Sequence, residues 1–217
     1  IRALDQASRN AADGISLVQT GEGALDEVSS ILLRMKELAE QLLNGTLSNS
    51  DRGYLNSEFS ALQSEITRIS DGTEFNGVKL LDGSGGSIAI QVGIGTASSD
   101  SVAISLSSDR DATALGLTTA IDTATNAATA MGQIDGAIAS VTSARSDFGA
   151  IQNRLESSIR NINMTSENLS AANSRIRDVD IAAETSRMTS FQILQQAGVS
   201  MLAQANMSSG LALALMG

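Results

Sequence analysis

Enzymatic chemistry draws on a short roster of side chains, and this chain lacks much of it. Its 217 residues include no Cys and no His. That removes thiolate nucleophiles, disulfides, the commonest general base and the commonest metal ligand. Lys36, Lys79, Tyr54, serine hydroxyls and carboxylates remain. Asp178 and Asp180 are the best carboxylate pair for acid–base work. Their position at a helix junction explains them more economically, through capping and the helix dipole. The run GIGTASSDS (Gly93–Ser101) has the glycines of a phosphate loop. It lacks the Lys of GxxxxGK[ST], and a strand pattern follows where a helix is required. No catalytic, cofactor-binding or metal-ligating residue is assigned, and no cofactor is expected. The chain is not read as an enzyme.

The elements that would have positioned such groups point elsewhere. Net charge is −10 and the isoelectric point near 4.4. Nucleic-acid binding needs clustered Lys and Arg, so it is excluded as a function class. Pro and Trp are absent, with one Tyr and four Phe. A Pro-free chain suits long unbroken helices. From Met188 to Gly217 there are thirty residues without Asp, Glu, Lys or Arg. Gln192, Gln195, Gln196, Gln204, Asn206, Ser208 and Ser209 interrupt this segment, and its purely apolar end covers only Leu211–Met216. A spanning helix needs about 20 consecutive apolar residues, so membrane insertion is not expected. An uncharged segment in a charged chain is then either part of a core or a surface for partners.

Leu4, Ala11, Val18, Leu25, Leu32 and Ala39 recur every seven residues, with Val28, Met35 and Leu42 as a companion row. The spacing predicts a helix over about 1–44, stopped at Asn44-Gly45. Gly14, Gly21 and Gly23 each cost about 1 kcal/mol in such a helix, unless they mark close backbone packing. Ser48 or Ser50 can cap a second helix over about 49–70, carrying Leu55, Phe59, Leu62, Ile66 and Ile69. The period then becomes two, at Ile88, Ile90, Val92, Ile94 and again at Val102, Ile104, Leu106. This predicts a β-hairpin over about 87–107, which must lean on the helices because two strands alone are marginal. A third helix begins between Thr118 and Ala130 and runs over about 128–176. Its seam is a strict heptad of Ile134, Val141, Phe148, Leu155, Ile162, Leu169 and Ile176. The row three residues on, from Ala137 and Ala144 to Ala172, is mostly small and would admit a close neighbour. The last element carries Met188, Phe191, Leu194, Met201, Leu202 and Ala205, backed by Gln, Ser and Thr rather than charge. The expected fold is mainly α: an elongated rod of coiled-coil-like helices with a small hairpin over 1–176, and a C-terminal helical domain over 177–217.

Four stretches carry a family resemblance: RNAADGISLVQTGEGAL (Arg9–Leu25), FNGVKLLDG (Phe75–Gly83), the long run from Phe148 to Glu184, and ILQQAGVSMLAQAN (Ile193–Asn206). Through them the chain resembles bacterial flagellin over nearly its whole length, apart from about 98–130. The resemblance implies a non-enzymatic subunit that self-assembles into the extracellular flagellar filament for motility, after secretion through the flagellar export apparatus. It implies as partners other copies of the chain, an export chaperone, and filament cap and hook-junction proteins. Phe191, Leu194, Met201, Leu202, Leu211, Leu213 and Leu215 would form the polymerisation and chaperone-binding surface. It also implies recognition by a Toll-like receptor of animal innate immunity, through Arg34, Leu38 and Gln41 of RMKELAEQ and Glu58 of LNSEFSAL. Compared with the family, the chain starts at Ile1 partway into the rod and is expected to lack the N-terminal terminal helix and the outer variable domains. The alternatives are a hook–filament junction protein, which shares the terminal architecture, and a monomeric surface adhesin. A flagellin with a zinc-protease insert would need the His residues that are absent.

Overall fold

The computed structural model describes residues 1–178 and 181–216, with side chains described as far as Met207. It is mainly helical. Helix α1 spans Arg2–Leu42, α2 Asn49–Gly72, α3 Ala124–Arg177 and α4 Ile181–Met216. Four short strands lie between α2 and α3: β1 Glu74–Phe75, β2 Val78–Lys79, β3 Gly86–Gln91 and β4 Ser101–Leu106. The chain forms two compact units, Ile1–Asn168 and Leu169–Gly217.

In the first unit, α1 and α3 run antiparallel in one register. Lys36 Nζ meets Asp135 at 2.7 Å, and Arg145 meets Asp26 at 2.8 Å and Glu22 at 3.9 Å. Gly21 lies against Phe148, and Gly14 against Leu155. These pairs have residue numbers that add to about 169, as an antiparallel pair of unbroken helices requires. The α1 heptad is buried throughout, with Val18, Leu25 and Leu32 fully so, and Ile134, Val141, Phe148, Leu155 and Ile162 oppose it.

The glycines of α1 divide into two kinds. A Cβ on Gly21 would come within 2.8 Å of the Phe148 ring, and one on Gly14 within 3.2 Å of Leu155 and 3.1 Å of Ile90. At these two positions the missing side chain lets a large residue seat against the backbone. Gly23 faces open space and contributes only its helix-weakening entropy.

The seam is shorter than the heptad alone indicates. Leu169 is 45% exposed and Ile176 84% exposed.

Helix α2 is closed at its start by a capping box: the Ser48 hydroxyl accepts from Asp51 N at 3.2 Å while Asp51 accepts from Ser48 N. Phe59 and Ile66 bury its apolar face. β3 and β4 pair antiparallel, with Ile88 opposite Ile104 and Ile90 opposite Val102. Val102, Ile104 and Leu106 are buried. The hairpin therefore leans on the helices, as its alternation predicts, although Ile94 lies beyond β3 and is exposed.

Two features go beyond the periodicity. β1 and β2 make a second hairpin, turned by Asn76 (φ 50) and Gly77 (φ 80). Both residues take the left-handed conformation of a two-residue type I′ turn. The connection from β4 to α3 is no loose linker. It buries Ala112, Leu115, Leu117 and Ile121. It is tied to α2, since Gln63 Nε2 donates to Leu117 O at 2.8 Å and Ile121 N donates to Asn56 Oδ1 at 2.9 Å.

Three substitutions test this packing in thermal unfolding of the first unit. Phe148→Ala should destabilise by about 3–5 kcal/mol, the range for a buried aromatic. Gly21→Ala should also destabilise, by about 1–3 kcal/mol, because the ring must move. Gly23→Ala should stabilise by up to about 1 kcal/mol. Equal responses at Gly21 and Gly23 would contradict the close-approach role of Gly21.

Candidate functional site

Among the described residues, the groups able to do chemistry are engaged as structural partners or open to solvent. Lys36 pairs with Asp135, and Lys79 pairs with Glu74 at 2.9 Å and donates to Asp71 O at 2.7 Å. Tyr54 is 75% exposed. Asp178 is exposed, and Asp180 lies outside the described residues. Among the described residues no group of His, Cys, Asp or Glu could hold a metal ion, and no helix is long and apolar enough to cross a membrane. The glycine-rich loop after β3 closes on its own carboxylate: Asp100 packs against Gly93 and Gly95 and accepts from Ala97 N at 3.3 Å. The place of an anion is thus filled from within. A groove of about 630 Å³ lies between this loop and α3, lined by Leu4, Val92, Arg154, Asn161 and Ile162 among others. It holds no pair of groups placed for acid–base work.

Two surfaces remain. The first is the charged face shared by α1 and α2. Arg34 donates from Nε and Nη2 to Glu58 Oε1, at 3.0 and 2.8 Å, and from Nη1 to Glu37 at 3.0 Å. These bonds, that to Glu58 first, hold the guanidinium above its already high ordinary pKa. Gln41 is exposed one turn beyond Glu37. Leu38 does not belong to this surface. It is 1% exposed and forms part of the core. The spacing Arg34, Leu38, Gln41 spans the border between the outer face of α1 and its buried seam, so helical spacing alone cannot give all three to solvent. Glu37 was not foreseen; its i, i+3 spacing from Arg34 was the available signal.

The second surface is α4. Phe191, Leu194, Met201 and Leu202 are 69%, 66%, 72% and 66% exposed. Ile193, Val199 and Met207 are exposed as well. At 3.6 residues per turn these side chains occur around the whole circumference, not in one stripe. The expected polar back is therefore interrupted by apolar residues. Leu211, Leu213 and Leu215 have side chains outside the described residues.

The α1–α2 face yields a contrast in stability. Leu38→Ala should cost about 2–5 kcal/mol through a core cavity, whereas Gln41→Ala should change stability by no more than about 0.5 kcal/mol. The Arg34–Glu58 pair is exposed, so its effect on the melting midpoint should be small and shrink in high salt. A large, salt-independent loss on Glu58→Ala would show that the pair is structural.

Comparison with known proteins identifies the family. The bacterial flagellin N-terminal helical region matches residues 1–85, and the bacterial flagellin C-terminal helical region matches residues 131–215. A flagellin of Halalkalibacterium halodurans is 49% identical over 215 residues, 95% of this chain and 76% of that protein. A flagellin of Bacillus subtilis is 42% identical over 95% of this chain and 78% of its own length. The crystal structure of Bacillus cereus flagellin is similar at 35% identity with a TM-score of 0.64, covering 76% of this chain and 94% of that one. With both terminal regions matched and this identity over nearly its full length, the chain belongs to the bacterial flagellin family, the non-enzymatic structural subunits of the extracellular flagellar filament used for motility.

Proposed function

We propose that this chain polymerises into the filament through α4, and that other copies cover that helix on every side. The observation that carries this reading is the exposed apolar circumference of α4. A helix apolar all round belongs in a buried environment, yet Phe191, Leu194, Met201 and Leu202 are exposed in the single chain. The proposed division of labour is a helical rod over about 1–176 that sets the shape of the subunit, and a segment over about 177–217 that joins subunits. Before assembly the same apolar surface would suit an export chaperone, and at the filament ends it would suit cap and hook-junction proteins. The chain reads as a short flagellin without outer variable domains, because residues 107–123 lead from β4 straight to α3. On the rod, Arg34, Gln41 and Glu58 form the candidate surface for the animal Toll-like receptor, with Leu38 supporting them from beneath.

Seeded elongation on sheared filaments tests the assembly reading. Removing residues 188–217 should abolish elongation while leaving the melting of the first unit almost unchanged. Normal elongation by the truncated chain would overturn it. For the receptor, Arg34→Ala and Glu58→Ala should each raise the concentration needed for half-maximal response in reporter cells without unfolding the rod. Unchanged potency would remove that assignment.

A further inference from the structure

We propose that the thioethers of Met188, Met201 and Met207 are oxidation sites that switch off assembly of the free subunit. The inference rests on the reading of α4 as the polymerisation surface. With no Cys and no Trp in the chain, methionine is its main target for two-electron oxidants such as peroxides. Four of the seven methionines, Met188, Met201, Met207 and Met216, lie on α4, whereas Met35, Met131 and Met164 lie on the rod, Met164 being 63% exposed. Their environments differ sharply. Met35 is fully buried and Met131 is half-buried, while Met188, Met201 and Met207 are 53%, 72% and 57% exposed. Oxidants therefore reach α4, and Met164 on α3, before they reach the core methionine Met35.

The chemistry is simple. A sulfur lone pair attacks one peroxide oxygen and the O–O bond breaks. The sulfur keeps that oxygen as a sulfoxide, and the peroxide is reduced to water. A flexible apolar side chain becomes polar, and the reaction is reversed by methionine sulfoxide reductases. Because apolar side chains surround α4, an oxidised methionine on any side meets an apolar partner in the assembled state. Burying the new S=O there without a hydrogen-bond donor is unfavourable. Oxidation therefore opposes assembly, while assembly covers the thioethers and protects them.

The test uses hydrogen peroxide on the intact, unassembled protein, with peptide mapping and seeded elongation. Met188, Met201 and Met207 should gain oxygen at least about tenfold faster than Met35, and elongation should fall by a similar factor. Methionine sulfoxide reductase should restore it. A Met188→Leu, Met201→Leu, Met207→Leu variant, scored against its own untreated elongation rate, should be insensitive to peroxide, although it keeps the exposed Met164. Full elongation after complete oxidation of the three, or a triple variant that elongates yet stays sensitive, would overturn the proposal. Failure of untreated wild-type protein to elongate would instead count against the assembly reading beneath it. If the triple variant fails to elongate, the reductase arm on wild-type protein decides: recovery supports the switch and lack of recovery refutes it.

Discussion

The antiparallel seam between α1 and α3 is the constraint on which the rest of the first unit depends. Two helices of 41 and 54 residues can stay in one register only if large residues on one find recesses on the other. Phe148 finds its recess over Gly21, and Leu155 finds its own over Gly14. The ion pairs Lys36–Asp135 and Arg145–Asp26 lie along the same register. Being partly exposed, they select the alignment more than they stabilise it. The glycines carry a helix-propensity cost of about 1 kcal/mol each, which close packing at Gly14 and Gly21 offsets.

Everything else in the unit is fitted to that seam. The β3–β4 hairpin could not persist alone. It buries Val102 and Ile104 and sends Ile90 against Gly14. Ser70, fully buried on α2, donates to Leu81 O at 2.9 Å, and Arg110 N donates to the same carbonyl at 2.8 Å. This one acceptor ties α2 to the segment after β4. No described buried side-chain N or O atom is left without a hydrogen bond, as a stable interior requires. Where the seam ends, the chemistry changes. Leu169 and Ile176 keep the heptad but are exposed, and α4 has no charged residue after Arg187.

The sequence disclosed most of this because the fold is built from long, local periodicities. Seven-residue spacing located the seam, alternation located β3 and β4, and of the two candidate caps Ser48 and Ser50 the structure uses Ser48. The gaps have physical causes. The family resemblance grouped Leu38 with Arg34 and Gln41, and their shared helical spacing does not mark the border at which Leu38 turns into the core. Periodicity needs several repeats, so the two-residue strands β1 and β2 were invisible to it; the Asn76-Gly77 pair was the local signal for them. The Ala/Thr-rich connection before α3 has no period, and its burial depends on Gln63 and Asn56 far away in sequence. A heptad likewise does not report burial: Leu169 and Ile176 keep the spacing yet are exposed. Composition marked the charge-free terminal segment as either core or partner surface, the family resemblance named the residues of both surfaces, and the exposure of the apolar side chains of α4 is what the structure adds.

The central claim is that the first unit is stabilised from within the chain while α4 draws its stability from other copies. Isolated helices are marginal in water, and packing supplies most of their stability. Amide hydrogen exchange on the intact protein, free and in filaments, tests this most directly. Amides of α3 between about Ala130 and Ile162 should be strongly protected in both states. Those of α4 between about Leu194 and Leu202 should exchange quickly in the free chain and become protected in the filament. Protection of Leu194–Leu202 in the free chain equal to that around Leu155 would contradict the account.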